Sequence, residues 1–151
     1  MSNHYLLDTN ICVHFLRGEH QLQTKFAEIG LARCFVSEIT IAELLFGVAN
    51  SAPEWQPRQQ QHLLEFRKLI AHHVLPITPV LEIYAEQKAS LRRMGRPIDE
   101  FDLLIGSTAL THDLTLVTHN TKHFTNLTNI ILEDWVAPTS STAISPAGRI
   151  P

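Results

Sequence analysis

Five carboxylates and one amide stand where side chains from separate parts of the chain could converge on a single ion. The run YLLD closes an apolar stretch on Asp8, followed by Thr9 and Asn10. VSEITIAELLFG carries Glu43, GRPIDEFDLL brings Asp99, Glu100 and Asp102, and LTLVTHN ends on Asn120. Carboxylates gathered at one edge repel one another and raise each other's pKa unless a cation neutralises them. Hard oxygen donors of this kind suit Mg²⁺ or Mn²⁺, which take one or two carboxylates and complete their shell with water and substrate phosphate. Such a centre can activate a water and stabilise the charge of a phosphodiester under attack.

Each acid also has a structural reading. Asp8 is placed to cap a helix beginning at Thr9 or Asn10. Thr40-Ile41-Ala42-Glu43 matches a capping box, with Glu43 reaching back to the Thr40 amide, and Asp99 with Asp102 can cap the helix after Pro97. Gly106 and Ala109 share the helical face of Asp102, which suits either close approach to the acid or tight packing of the helix on the sheet. The joint placement of the acids, rather than any one of them, points to a metal.

The elements that must hold these residues are short strands alternating with helices. Apolar runs at 4–8, 34–37, 74–77, 114–118 and 129–133 have strand character. Between them, Leu63, Phe66 and Ile70, and then Val80, Tyr84 and Leu91, fall at helical spacing. This alternation predicts an α/β fold, a three-layer α/β/α sandwich with a mostly parallel central sheet, because parallel neighbours need crossover connections and helices supply them. In such sheets functional groups collect beyond the carboxyl ends of the strands, which is where Asp8 and the Thr118-His119-Asn120 run fall. One domain is expected over 1–137, and PTSSTAISPAGRIP, over 138–151, reads as a disordered tail with little to bury.

The 151 residues are 44% hydrophobic, enough for a core, and carry a net charge of -3, which supplies no bulk attraction for nucleic acid or an anionic membrane. Any contact with RNA must come from a local patch. Lys88, Arg92, Arg93 and Arg96 form the densest basic cluster, suited to phosphate contacts or to a solvated helix face. Cys12 and Cys34 sit among apolar neighbours, as buried free thiols in a reducing compartment do, and a disulfide is the weaker reading. No run approaches the roughly 18 apolar residues of a membrane span, and the expected location is cytoplasmic. His119 and His123 are four apart, a weak zinc signal outside any HExxH context. No glycine-rich phosphate loop or nucleophile elbow is present, so no cofactor-binding motif is assigned beyond the metal.

Taken in order, LLDTNICVHFLRG, VSEITIAELLFGV, GRPIDEFDLLIGSTALTHDLTLVTHNTKHF and NIILEDW resemble the PIN-domain ribonucleases, in particular the VapC toxins of toxin–antitoxin systems, from Tyr5 to Trp135. The resemblance implies metal-dependent cleavage of RNA. It carries catalytic roles onto Asp8, Glu43 and Asp102, adds Asp99 as an extra ligand, and makes Asp8 and Asp102 the metal ligands. Asn120 stands where the family often has a fourth acid, a departure that a subset of VapC-like proteins shares and that bears on a second metal ion. Arg92, Arg93 and Arg96 become the RNA contacts. The resemblance further implies a homodimer and a VapB-like antitoxin, with Phe46 and Trp55 either lining its docking groove or packing in the core. The segments GRP…FD and THNTKHF suggest a tRNA anticodon loop as substrate. Two other functions compete: a catalytically inactive PIN-fold module that binds RNA or protein, and a receiver-like Mg²⁺-binding regulatory domain. The receiver reading lacks an acidic neighbour for Asp8 and a lysine directly at the end of LTLVT.

Overall fold

The computed structural model describes residues 4–136; the tail expected over 138–151 lies outside them. Five strands, β1 (Tyr5–Leu7), β2 (Cys34–Ser37), β3 (Val74–Leu75), β4 (Thr115–Val117) and β5 (Leu132–Glu133), form one sheet in the order β3-β2-β1-β4-β5. Every pairing is parallel, with Leu6 beside Phe35 on one side and Leu116 on the other. The connections are helical: α1 (Thr9–Leu16), α2 (Leu22–Ile29), α3 (Glu38–Ala49), α4 (Gln56–Leu69), α5 (Leu81–Arg93), α6 (Glu100–Thr111) and α7 (Thr121–Phe124).

Because strand side chains alternate, Leu6 and Leu7 serve opposite faces of the sheet. Leu7 packs with Ile11, Cys12, Phe26, Leu63 and Phe66 in one core, and Leu6 packs with Leu91, Leu103, Ile105, Leu116 and Phe124 in the other. The expected three layers follow directly. Both cysteines are free and buried, and burial pushes the Cys34 thiol up to about 11.

The last strand differs from expectation. It begins at Leu132 and not at 129, because Asn129 turns at φ 67, a left-handed conformation that a strand cannot contain. The Thr40–Glu43 capping box is also corrected. The cap of α3 is Ser37, whose hydroxyl accepts from the Ile39 amide at 3.1 Å, so Thr40 lies inside the helix and is fully buried. Gly106 settles on packing: a Cβ there would meet Leu127 Cδ1 at 2.3 Å and Phe124 Cδ1 at 3.3 Å. No helix among the described residues is long and apolar enough to cross a membrane.

Candidate active site

The chain runs β1, β2, β3 outward in one direction and then places β4 on the other side of β1, so strand order reverses between β1 and β4. Ligand crevices of open parallel sheets form at this point, outside the carboxyl ends of the strands. Asp8 leaves β1 here and Thr118 leaves β4. The Asp8 amide still donates to the Val117 carbonyl at 2.9 Å, which anchors the acid to the sheet.

Asp8 is 4% exposed. Its Oδ1 accepts from the Thr9 amide at 2.7 Å as the cap of α1, and its Oδ2 accepts from the Thr118 hydroxyl at 2.8 Å. The capping reading and the ligand reading are therefore compatible: the cap orients the carboxylate, and the sheet holds it still. Burial raises the Asp8 pKa above the usual carboxylate value, the Thr118 and Thr9 hydrogen bonds oppose this, and the charge of Asp102 adds to it.

Glu43 comes from the second turn of α3 and is half-buried. Its Oε1 accepts from the Thr9 hydroxyl at 2.6 Å, so α1 and α3 are tied together at the site. Burial raises its pKa, the Thr9 bond opposes, and the charges of Asp8 and Asp99 raise it further. Asp102, half-buried in the first turn of α6, is raised by burial, lowered by His123, and raised again by Asp99 and Glu43. Its Oδ2 lies 3.3 Å from His123 Nδ1. Asp99 is the exposed cap of α6, accepting from the amides of Phe101 at 3.0 Å and Asp102 at 3.4 Å. Four carboxylates from three segments thus feel one another's charge at one edge of the sheet.

Other expected residues fall as follows. Asn120 is exposed and precedes α7 without a side-chain capping bond; its backbone amide donates to the Thr118 hydroxyl at 3.0 Å, one bond away from Asp8. Glu100 is turned outward into an ion pair with Lys88 at 2.7 Å and a contact with the Tyr84 hydroxyl, which takes both Lys88 and Glu100 out of the site. Arg92 and Arg93 end α5 and Arg96 follows; all three are exposed and form no ion pair with another described residue. The His119–His123 zinc pair does not form: His119 lies 3.1 Å from Asp134, whereas His123 faces Asp102.

Several residues of the site were not read as such from the sequence. Thr9 and Thr118 hold Asp8 and Glu43, and Asn10 bridges Thr118 at 3.4 Å and the His119 amide at 3.3 Å. Lys122 and His123 line a cleft of about 360 Å³ with Asp99, Asp102 and Pro97. Proximity in sequence to the strand ends was the signal for the threonines, but a hydroxyl alone has no pattern that marks it. A larger concavity of about 480 Å³ lies elsewhere, between α1, α2 and α4, lined by Phe15, Leu16, His62, Phe66 and Leu69. It holds none of the four acids, so size does not locate the chemistry.

The PIN domain family model matches residues 5–129. The chain belongs to the PIN-domain family. Within that family it is 34% identical over 134 residues to Ribonuclease VapC2 of Rickettsia felis, covering 87% of this chain and 97% of the relative. It is 27% identical over 132 residues to the tRNA(fMet)-specific endonuclease VapC of Shigella flexneri, with the same coverage of 87% and 97%. Among solved structures, VapBC2 from Rickettsia felis, bound to a DNA fragment from the promoter, superposes with a TM-score of 0.77 at 31% identity over 87% of this chain and 98% of that one. PIN-domain membership leaves the receiver reading without support.

Proposed function

We propose that this PIN-domain protein is the toxin of a VapBC-type pair, a divalent-metal-dependent endoribonuclease that cuts tRNA. The observation that carries the reading is the convergence of Asp8, Glu43, Asp99 and Asp102, on α1, α3 and α6, where strand order reverses. Raised carboxylate pKa values at three of them fit a cation, because mutual repulsion and burial disfavour their charged forms in its absence. The donors are all hard oxygens, as Mg²⁺ or Mn²⁺ prefers. Asp8 and Asp102 would hold the ion, with Glu43 and Asp99 beside them and Asn120 at the rim. When bound, the ion activates water and neutralises charge on the phosphodiester.

The chain's own groups do the rest. Thr118 and Thr9 lock the Asp8 carboxylate, Thr9 also orients Glu43, and Lys122 with Arg92, Arg93 and Arg96 offers cations to the RNA backbone. The relatives' names support ribonuclease activity, and that of the Shigella flexneri protein supports a tRNA substrate. We further infer a VapB-like antitoxin and a homodimer. Phe46 and Trp55 are 67% and 54% exposed, not core, and offer apolar anchors for the antitoxin. The acidic cleft would accept an antitoxin arginine through bidentate bonds.

Asn120, in place of a fourth acid, favours one second reading, an inactive RNA-binding module. Incubating tRNA with the protein and Mg²⁺, Mn²⁺ or EDTA, alongside Asp8→Asn and Asp102→Asn checked by circular dichroism, separates the two. Metal-dependent cleavage lost in both folded variants is expected; full activity in EDTA refutes the metal mechanism, and binding without cleavage by the wild type favours the inactive module.

A further inference from the structure

A second cluster of ligating side chains lies at the opposite end of α1 from Asp8. His14, Glu19 and His20 each present one donor atom, and these atoms lie within 4.8 Å of one another. His14 Nδ1 is 2.7 Å from Glu19 Oε2, and His20 Nε2 is 4.0 Å from the same oxygen. The two imidazoles meet edge to face with centroids 4.7 Å apart. All three side chains are open to solvent in part, at 23%, 40% and 42% exposure, so an ion can enter.

The backbone sets this arrangement before any ion arrives. The Gly18 amide donates to the Phe15 carbonyl at 3.0 Å and the Glu19 amide to the His14 carbonyl at 2.9 Å, with Gly18 at φ 68. This is a Schellman ending, which folds the residue after the left-handed glycine back over the last turn. Glu19 is thereby clamped above His14. His20 and Gln21 follow at φ 56 and φ 54, a left-handed pair of non-glycine residues that L side chains rarely adopt, and the turn brings the His20 ring back beside the other two.

We propose that His14, Glu19 and His20 form a transition-metal site of the zinc class, separate from the carboxylate centre. The donor set of two imidazoles and one carboxylate is a recurrent three-ligand set for Zn²⁺, with a fourth position left to water. Bonds near 2.0–2.1 Å in a tetrahedron put neighbouring donors roughly 3.3 Å apart. The observed 2.7 and 4.0 Å of the two histidine–glutamate pairs bracket that value, and the third pair lies within 4.8 Å. The chemistry differs from that of the carboxylate centre: imidazole nitrogen selects zinc-like ions, whereas four carboxylates select Mg²⁺ or Mn²⁺. An ion here would pin the far end of α1, whose near end carries Asp8 and whose Asn10 holds the His119 amide.

The test is a titration of the full chain with Zn²⁺ against a chromophoric chelator, and with Co²⁺ followed by its visible absorption, which is intense for tetrahedral coordination. Both are run in the wild type and in an Asp8→Asn/Asp102→Asn background that removes the carboxylate centre. One equivalent with a tetrahedral Co²⁺ spectrum is expected in the double variant, and that equivalent plus any ion at the carboxylate centre in the wild type. Zn²⁺ affinity is expected to fall by at least about tenfold in His14→Gln, His20→Gln or Glu19→Gln, since loss of even an outer partner costs 10–100-fold at such sites. Circular dichroism keeps the variants comparable, and the exposed His20→Gln change serves if His14→Gln does not fold. Zn²⁺ binding that vanishes in the Asp8→Asn/Asp102→Asn background, an octahedral Co²⁺ spectrum, or unchanged affinity in His20→Gln and Glu19→Gln would overturn the proposal.

Discussion

Thr118→Val tests whether the buried hydroxyl beside Asp8 is what makes a carboxylate tolerable there. Thr118 is fully buried and donates to Asp8 Oδ2 at 2.8 Å. The substitution conserves shape and removes the hydroxyl's bond to a charged acceptor, a loss of about 1.5–3 kcal/mol of which the added buried methyl returns about 0.8 kcal/mol, together with the bonds it accepts from the Asn120 backbone amide and the Asn10 side chain. The Asp8 bond alone thus sets a stability loss of about 1–2 kcal/mol at neutral pH, or roughly 2–8 °C in melting temperature for a chain of this size, and the Asn120 and Asn10 bonds add a part that does not depend on the Asp8 charge. The sign of the pH dependence follows from the raised Asp8 pKa. A group whose folded pKa lies above its unfolded value favours folding when protonated, and that contribution is lost as pH rises through the folded pKa. Removing the hydroxyl raises the folded pKa further. The charge-dependent deficit of the variant is therefore full above that new pKa, shrinks as pH falls from it to the wild-type one, and is smallest below both. Denaturant unfolding of both metal-free proteins from about pH 8 to about pH 4 measures it, and Thr118→Ser, which keeps the donor, should recover most of the loss. A deficit of the same size at every pH, or none, refutes the reasoning.

Other outcomes follow from the same geometry. Asp102→Asn should reduce cleavage by more than about 100-fold, as expected for a lost metal ligand, yet raise the neutral-pH stability of the metal-free protein and flatten its decline with rising pH, because one of three carboxylates with a raised pKa is gone; thermal melts against pH check the second half. Glu43→Gln can still accept from the Thr9 hydroxyl and loses a carboxylate with a raised pKa, so its melting temperature should be at or above the wild type's while cleavage falls; a fully active variant would return Glu43 to a structural role. Arg92→Ala combined with Arg93→Ala should flatten the dependence of RNA affinity on salt by about 1.4–1.8 in log–log slope, measured by fluorescence anisotropy, if each arginine meets one phosphate.

The sequence by itself determined the architecture and the identity of the acids. Alternating short apolar runs and helical periodicities allow little besides a parallel sheet covered on two faces, and an aspartate closing the first run must emerge at the sheet's carboxyl edge. The motifs that resemble the PIN family then selected Asp8, Glu43, Asp99 and Asp102, the four that meet in space. What periodicity could not supply was partner choice across long separations. Glu43 matched a local capping box, yet its partner is Thr9, 34 residues away, because Ser37 starts the helix three residues earlier and leaves Glu43 on the face toward α1. Glu100 is one residue from Asp99 and two from Asp102, but the rotation of α6 turns it to Lys88 instead of the cleft. Thr118 became part of the site only because β4 lies against β1, a pairing of residues 110 apart that no local pattern encodes. Likewise, no local pattern joins His14 to His20; a left-handed turn after α1 brings the two rings edge to face. Local chemistry sets which residues can bind a metal; the chain reversals decide which of them share one.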